Sequence, residues 1–251
     1  MGKVHLLDDD VRAPKPSRRT GQKPRSVEDT HSRLNSFQPT QKQKEAINVV
    51  RANTLSVVEG VPGSGKSTAI LWHYCQEYLR DPSKQIIIVK SPTEAGQLDK
   101  IGFLPGTLDE KLAQHFVANR RILEEFLGKG KVECDLGKRI HLLVPNYLLG
   151  MTFDNSLVLV EEAQQLQPMM LKLILERTGV SSKVCVVGDK MQLYTDEKES
   201  KLRNGLTDMI NRFFDKDGVA RYDDVGYYKF GVESVMRSEI VKTVIKAYYG
   251  V

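Results

Sequence analysis

A glycine-rich segment, Gly60-Val-Pro-Gly-Ser-Gly-Lys-Ser67, matches the pattern G-x-x-x-x-G-K-[ST] at every fixed position. It follows a short β-prone run that starts at Leu55, and it precedes apolar residues spaced as on one face of a helix. A strand, a glycine loop and a helix in this order form a phosphate-binding loop, because glycines let successive N–H groups turn toward an anion. The segment therefore predicts a nucleoside triphosphate site.

The loop also predicts which residues contact the nucleotide. We expect Lys66 to reach the β- and γ-phosphates and Ser67 to ligate Mg²⁺. The other residues predicted to surround the phosphates are Gly60, Val61, Pro62, Gly63, Ser64, Gly65 and Thr68. ATP and Mg²⁺ are the predicted cofactors. A chance glycine-rich turn is the alternative, and the flanking strand and helix argue against it.

The rest of the chain alternates between apolar runs and helical patterns. We predict strands at 55–59, 85–90, 139–144, 157–160, 183–187 and 227–230, and helices at about 41–50, 66–80, 107–127, 164–177, 200–214 and 238–249. Nearly continuous apolar strands, such as the one at 85–90, belong in a parallel sheet that is covered on both faces. The predicted fold class is therefore an α/β sandwich with a P-loop.

Residues 1–36 differ in composition from the rest. They are rich in Pro, Ser and basic residues, so we predict a disordered arm, followed by one ordered domain over 37–251. The basic arm suits an electrostatic contact with nucleic acid, and a merely solvated tail is the alternative. The net charge of +5 is compatible with a polyanionic partner without requiring one.

The cysteines and the apolar runs exclude several classes of protein. No apolar run approaches the roughly 18 residues of a membrane span, and the first ten residues carry acids where a secretory signal is apolar. We therefore expect no membrane partner and no export. Cys75, Cys134 and Cys185 are odd in number and widely spaced, so we interpret them as buried small residues in a reducing cytoplasm.

Two carboxylates, Glu161 and Glu162, directly follow the apolar strand at 157–160. At the carboxyl edge of a sheet, beside a phosphate loop, one acid can hold Mg²⁺ while the next polarises the attacking water. We assign Glu161 to the metal and Glu162 to catalysis. The alternative is a helix N-terminus, where acids complement the helix dipole.

A third motif follows the apolar strand at 183–187, which ends in Gly188-Asp189 with Gln192 three residues later. The Gln192 amide is placed to contact the γ-phosphate or the attacking water, so we include it among the catalytic residues. A plain turn is the alternative. The order of the three motifs is that of helicase-like ATPases.

The chain resembles the PhoH family, including its short phage-encoded members, over about residues 38–250. The resemblance is carried by the segments 61–68, 92–96, 101–111, 153–164, 187–192 and 234–238, of which Gly-Phe-Leu-Pro-Gly-x-Leu-x-Glu-Lys within 101–111 is the most specific. It implies an ATPase with a single RecA-like core, a parallel sheet flanked by helices, related to superfamily 1 helicases. It also implies a homo-oligomeric ring, with a hexamer favoured, a role with RNA or single-stranded DNA, and the host cytoplasm if a phage encodes the chain.

The resemblance also implies roles for two further residues. Arg237 matches the family's arginine before the last helix, which implies an arginine finger supplied to the γ-phosphate of a neighbouring subunit; a surface charge is the alternative. Gln41 lies where helicase-like ATPases contact the adenine edge, with Gln38 and Gln43 as rival candidates.

Two segments depart from the family pattern. Glu161 stands where the family usually has Asp, which lengthens the metal-facing side chain by one C–C bond, ~1.5 Å. Since Mg²⁺ demands near-ideal octahedral geometry, we expect slower turnover or a backbone set further back. The segment 147–152 lacks the arginines that the family favours there, which weakens any role of this segment toward nucleic acid or a neighbouring subunit.

The leading hypothesis is an oligomeric ATPase that couples hydrolysis to movement on, or remodelling of, RNA or single-stranded DNA. The chain has the length for one RecA-like core, so coupling requires neighbouring subunits. The alternative is an ATP-dependent switch or scaffold that binds a protein partner and has no activity on nucleic acid.

Overall fold

The computed structural model describes residues 32–91, 114–192 and 204–249. Its six strands are β1 (Leu55–Gly60), β2 (Gln85–Lys90), β3 (Ile140–Leu143), β4 (Ser156–Glu161), β5 (Lys183–Gly188) and β6 (Val225–Phe230). They form one sheet in the order β3-β2-β4-β5-β1-β6, and every neighbouring pair is parallel. The predicted strands and the predicted α/β fold class with a single parallel sheet are confirmed.

The α-helices of the described residues are α1 (Ser32–Ser36), α2 (Gln41–Ala52), α3 (Lys66–Arg80), α4 (Val117–Leu127), α5 (Lys129–Asp135), α6 (Pro168–Leu175), α7 (Gly205–Phe213) and α8 (Glu239–Tyr249). Short 3₁₀ turns cover Pro145–Tyr147, Ala163–Gln165 and Val232–Ser234. The predicted helices are present, except that 107–113 and 200–203 lie outside the described residues. Helix α5 was not predicted, because its seven residues are too few to show a clear apolar period.

The sheet is covered on both faces, which explains the continuous apolar strands. In β2, Ile86 and Ile88 face a buried cluster with α3 and α4, while Ile87 and Val89 face a second cluster with α6 and α7. Each such side chain contributes about 1.5–3 kcal/mol when it leaves water completely. Because every neighbouring pair is parallel, the carboxyl ends of the strands meet along one edge of the sheet.

The ordered chain begins earlier than the sequence predicted. Helix α1 lies within the segment predicted to be disordered, and Leu34 is buried. The Trp72 indole N–H donates to the carbonyl of Leu34 at 2.9 Å, and Arg33 pairs with Glu125 at 3.0 Å. The prediction of disorder is therefore wrong for residues 32–36, because contacts with α3 and α4 hold them. The remainder of the predicted arm, 1–31, lies outside the described residues.

The cysteines follow the prediction in two of three cases. Cys75 and Cys185 are buried, and burial raises the pKa of both thiols. Cys134 is exposed, so the prediction of burial is wrong there, because Cys134 lies on the solvent side of α5. Within the described ranges, His, Cys, Asp and Glu form no cluster suited to a metal.

The helices of the described ranges are also too short or too polar for a membrane span. None of them combines sufficient length with sufficient hydropathy to cross a bilayer.

Candidate functional site

The glycine loop joins the end of β1 to the start of α3, and two of its glycines have left-handed backbones. Gly63 has φ +78° and Gly65 has φ +77°. A Cβ atom on Gly63 would lie 2.9 Å from Arg237 Nε, and one on Gly65 would lie 2.5 Å from Gln43 Nε2. Both the backbone conformation and the close neighbours therefore require glycine at these positions.

Lys66 is the first residue of α3, and its side chain folds back over the loop. Lys66 Nζ donates to the carbonyl oxygens of Gly60 at 2.6 Å and Val61 at 2.9 Å. Burial lowers the pKa of Lys66, and nearby carboxylates oppose that shift, those of Asp189, Glu162, Glu161 and Glu59. A phosphate bound at this point would favour the charged form of Lys66 over the neutral amine still more.

A cavity of about 360 Å³, the loop cavity, lies between the loop and the ends of β4 and β5. It brings together ten of the predicted site residues: Pro62, Gly63, Gly65, Lys66, Ser67, Thr68, Glu161, Glu162, Gln192 and Arg237. Because β5 lies between β4 and β1, the acids of β4 face the loop across one strand. The predicted loop residues Gly60, Val61 and Ser64 lie in the loop backbone behind the cavity, where Ser64 Oγ donates to the carbonyl of Val61 at 2.9 Å.

Glu161 is the last residue of β4, and the residue is only 6% exposed. Its Oε1 atom is buried and has no hydrogen-bond partner among the described residues. An unpaired carboxylate oxygen is costly in such a place unless it meets a cation. Together with the hydroxyl of Ser67, which lines the same cavity, this oxygen supplies the hard oxygen ligands that Mg²⁺ prefers.

Glu162 follows directly and has a left-handed backbone, with φ 51° and ψ 43°. That conformation costs a non-glycine residue about 1–2 kcal/mol, so the surroundings must hold it in place. The buried side chain of Gln164 does so: its Nε2 donates to Glu162 Oε2 at 2.6 Å, and its Oε1 accepts the N–H of Asp189 at 3.1 Å. Gln164 thereby connects the acid at the end of β4 to the motif at the end of β5.

A second glutamine connects the same two segments. Gln165 Nε2 donates to the backbone carbonyl of Gln192 at 3.0 Å, and Gln192 itself lines the loop cavity. The two acid-bearing motifs are therefore linked by adjacent glutamine side chains. Neither glutamine was assigned a role from the sequence, because such links join residues 25 and 27 positions apart.

The two glutamines of α2 occupy different surroundings. Gln41 is exposed and donates to Glu45 at 3.3 Å, and it does not line the loop cavity. Gln43 is buried beside Gly65, where its Oε1 accepts the N–H of Thr40 at 2.9 Å in a capping box. The contact of Gln41 with adenine stays a prediction, and the structure brings its rival Gln43 closer to the loop.

The chain returns to the loop just before α8. The N–H of Met236 donates to the carbonyl of Gly63 at 3.0 Å, and the side chain of Arg237 lies against Gly63. Arg237 is exposed but lines the loop cavity of its own chain. From the end of α8, the hydroxyl of Tyr249 donates to Asp189 Oδ2. The C-terminal segment therefore contacts both sides of the cavity.

The cavity contains two polar residues that the sequence did not single out. Asn119 of α4 is buried, and its Oδ1 has no hydrogen-bond partner among the described residues. Lys90 ends β2, and its Nζ lies 3.4 Å from the carbonyl of His115. An Asn within a helical pattern is a weak signal, and only the packing of α4 beside the loop places it here.

Comparison with known proteins identifies relatives over most of the chain. The model of the PhoH-like protein family matches residues 37–249. PhoH-like proteins of Synechocystis sp. and Bacillus subtilis are 30% and 27% identical, and each match covers 83% of this chain. Protein PhoH of Escherichia coli is 27% identical over 82% of this chain.

The chain spans 61%, 62% and 56% of the lengths of these relatives, respectively. Among solved structures, the large terminase of a thermophilic bacteriophage, in complex with ADP, is 12% identical with a TM-score of 0.48, over 82% of this chain and 49% of that one. The family match covers nearly all of the described residues. The chain belongs to the PhoH-like protein family.

Proposed function

We propose that this protein binds ATP with Mg²⁺ in the loop cavity and hydrolyses it. The observation that carries the proposal is the convergence of Lys66, Ser67, Glu161 and Glu162 on one cavity at the carboxyl edge of a parallel sheet. Ligands of open α/β sheets bind at this edge. The positive end of α3 and the inward-turned loop amides suit the phosphates of a nucleotide.

Each residue of the loop cavity has its own proposed role, which follows from its position. Ser67 and the unpaired oxygen of Glu161 would hold Mg²⁺, which when bound neutralises charge on the phosphates. Lys66 contacts the same phosphates once its ammonium leaves the loop carbonyls. Glu162, held by Gln164, accepts a hydrogen bond from the attacking water and orients it.

In this proposal, Arg237 contacts the nucleotide in the loop cavity of its own chain. Its side chain lies at Gly63, and the backbone of Met236 is bonded to the same glycine. An arginine in that place can stabilise charge on the γ-phosphate. The resemblance implied an arginine supplied to the γ-phosphate of a neighbouring subunit. The position of Arg237 beside Gly63 instead favours a contact with the γ-phosphate bound to its own chain.

We test hydrolysis with Lys66→Ala. Removal of the ammonium should abolish ATP turnover and weaken nucleotide binding, while Lys44→Ala, on the exposed side of α2, should leave both unchanged. Turnover by Lys66→Ala near the rate of the unaltered chain would exclude the loop from the reaction.

We further propose that hydrolysis is coupled to RNA or single-stranded DNA. An open cavity of about 750 Å³ adjoins the loop cavity, with which it shares Thr68, Lys90, Ala118 and Ile122. Three cations, Arg33, Lys90 and Arg121, line it against one acid, Glu125. A cationic surface directly beside the nucleotide suits a polyanionic strand whose contacts respond to ATP.

The test is ATP hydrolysis measured with a panel of single-stranded RNAs and DNAs, together with filter binding across a range of salt concentrations. Stimulation by one class, with affinity that falls steeply as salt rises, supports the proposal because phosphate contacts release counterions. Hydrolysis that no nucleic acid stimulates would favour the switch or scaffold that binds a protein partner.

We also propose that copies of the chain associate through α8. One face of this helix packs on the loop through Ile245. On another face, Ile240, Val244 and Tyr248 form an exposed apolar stripe at four-residue spacing, between 49% and 83% exposed. Such an apolar stripe on a solvent-exposed surface favours contact with another protein. A second copy of the chain is the proposed partner, in agreement with the ring implied by the family resemblance.

Light scattering in the presence of ATP and Mg²⁺ tests this association. Ile240→Glu should shift the chain toward the monomer, whereas Val219→Glu, at an exposed apolar position elsewhere, should not. A monomeric unaltered chain would remove the oligomer from the proposal.

A further inference from the structure

A second cavity, the basic cavity, lies at the opposite end of the sheet from the loop. Its volume is about 500 Å³, and the lining residues on which the argument depends are Arg51, Thr54, His73, Glu77, Ser181 and Lys183. The lining residues lie at the amino ends of β1, β2, β4 and β5 and at the carboxyl ends of α2 and α3, except that His73 lies in the middle of α3. Since β1 has six residues, the two cavities are about 20 Å apart.

The lining of the basic cavity carries more positive than negative charge. Arg51, Arg80, Lys84 and Lys183 face one lining acid, Glu77, which pairs with Arg80 at 2.8 Å. Asp224 does not line the cavity, but its negative charge partly compensates that of Lys183. The carboxyl ends of α2 and α3 each contribute about half a negative charge. Roughly one positive charge therefore remains uncompensated in the cavity.

The uncompensated positive charge lies mainly on Arg51. Lys183 Nζ donates to the carbonyls of Arg51 at 2.8 Å and Asn53 at 3.0 Å, and Lys84 Nζ donates to the carbonyl of Ser181. The Arg51 guanidinium has no hydrogen-bond or ion-pair partner in the described part of the chain. Its five N–H donors are therefore available to a ligand.

His73 provides a second, independent sign of a ligand. The residue is 2% exposed, and its Nδ1 atom is buried without a hydrogen-bond partner among the described residues. Burial first, and then the charges of Arg51, Lys183 and Arg80 in that order, together lower the pKa of His73 to about 3. A buried polar atom of this kind is normally paired. The same three cations that surround it would attract an anion.

We propose that the basic cavity binds a phosphate group carried by a small molecule. A phosphate offers up to two negative charges and several acceptor oxygens, which suit the guanidinium of Arg51 and the hydroxyls of Thr54 and Ser181. Arginine matches phosphate geometry through paired N–H donors. The site is distinct from the loop cavity, and it is independent of whether the chain hydrolyses ATP.

The test is calorimetric titration of the full chain with inorganic phosphate. The background is Lys66→Ala, because the loop itself would bind phosphate, and acetate at equal ionic strength controls for general salt effects. We expect saturable binding of one phosphate per chain. Arg51→Gln should weaken it at least about fivefold, since a charged hydrogen bond is lost. Arg51→Lys should retain part of it, and Lys44→Gln on the same helix should change nothing.

Three outcomes would overturn the proposal. These are the absence of saturable phosphate binding, binding that Arg51→Gln leaves unchanged, and binding of single-stranded RNA through Arg51 where inorganic phosphate does not bind. Because Arg51 is exposed, its variants should unfold at the temperature of the background chain, which thermal unfolding checks. An unchanged midpoint assigns any loss of binding to the cavity.

Discussion

Gln164 Nε2 donates a hydrogen bond of 2.6 Å to Glu162 Oε2, and this contact fixes a carboxylate whose backbone is left-handed. Gln164→Ala should lower the turnover number for ATP by about tenfold to 100-fold, because small displacements of a positioned group have effects of this size. The KM for ATP should change little, since Gln164 does not line the loop cavity.

Steady-state kinetics check the expectation for Gln164, with Gln167→Ala, at an exposed position, as control. Unfolding curves establish that the variant is folded at the assay temperature. A variant with unchanged turnover would show that Glu162 does not need this hydrogen bond.

The two acids at the end of β4 should differ in their dependence on Mg²⁺. Glu162→Gln should keep ATP bound and stall hydrolysis, because an amide cannot accept a proton as a carboxylate does. Glu161→Gln should instead raise the Mg²⁺ concentration needed for half-maximal activity, and Glu161→Asp should keep most activity. Rates and nucleotide binding measured across Mg²⁺ concentrations distinguish them. If only Glu161→Gln stalls turnover at saturating Mg²⁺, the two roles are reversed.

The position of Arg237 predicts the result of a mixing experiment. Arg237→Ala should lower ATP turnover, because the side chain lies at Gly63 of its own loop. Mixing Arg237→Ala with Glu162→Gln should restore nothing, since each chain then lacks one group of its own cavity. An arginine that acts on a neighbour would instead restore activity in mixed assemblies, by ~10³-fold or more at each intact interface. Recovery of activity would therefore contradict the assignment within one chain.

His73 should make stability depend on pH. Its pKa is about 3 in the folded protein against 6.5 ordinarily, so the unfolded chain binds the extra proton between these values. The contribution of His73 to the free energy of unfolding is therefore fully present above pH 6.5. It decreases as the pH falls below that value, by at most about 1.4 kcal/mol per pH unit.

Denaturant unfolding at pH 7, 6 and 5 checks the effect of His73. His73→Phe should give a flatter dependence than the unaltered chain over this range, which lies above the ordinary pKa of the carboxylates. Parallel curves for the two proteins would show that the imidazole does not titrate differently in the folded state.

The prediction from the sequence was strongest where the signal is local. The loop, its strand and its helix are contiguous, and each strand at 85–90 or 157–160 has its own continuous apolar run. It was weakest where a segment depends on distant partners. Residues 32–36 look like a polar linker, yet Trp72 and Glu125 hold them as a helix. Cys134 looks like a core residue, and only the orientation of α5 exposes it.

By itself, the amino-acid sequence determined the fold class, the phosphate loop and the two acids of β4, because glycine spacing and apolar runs act over short stretches of chain. Only the tertiary structure decided that Gln164 holds Glu162 and Asp189 together, that Arg237 lies at Gly63, and that His73 lies among Arg51, Arg80 and Lys183. The parallel crossovers bring together residues that are far apart in sequence, and no local pattern records which ends will meet.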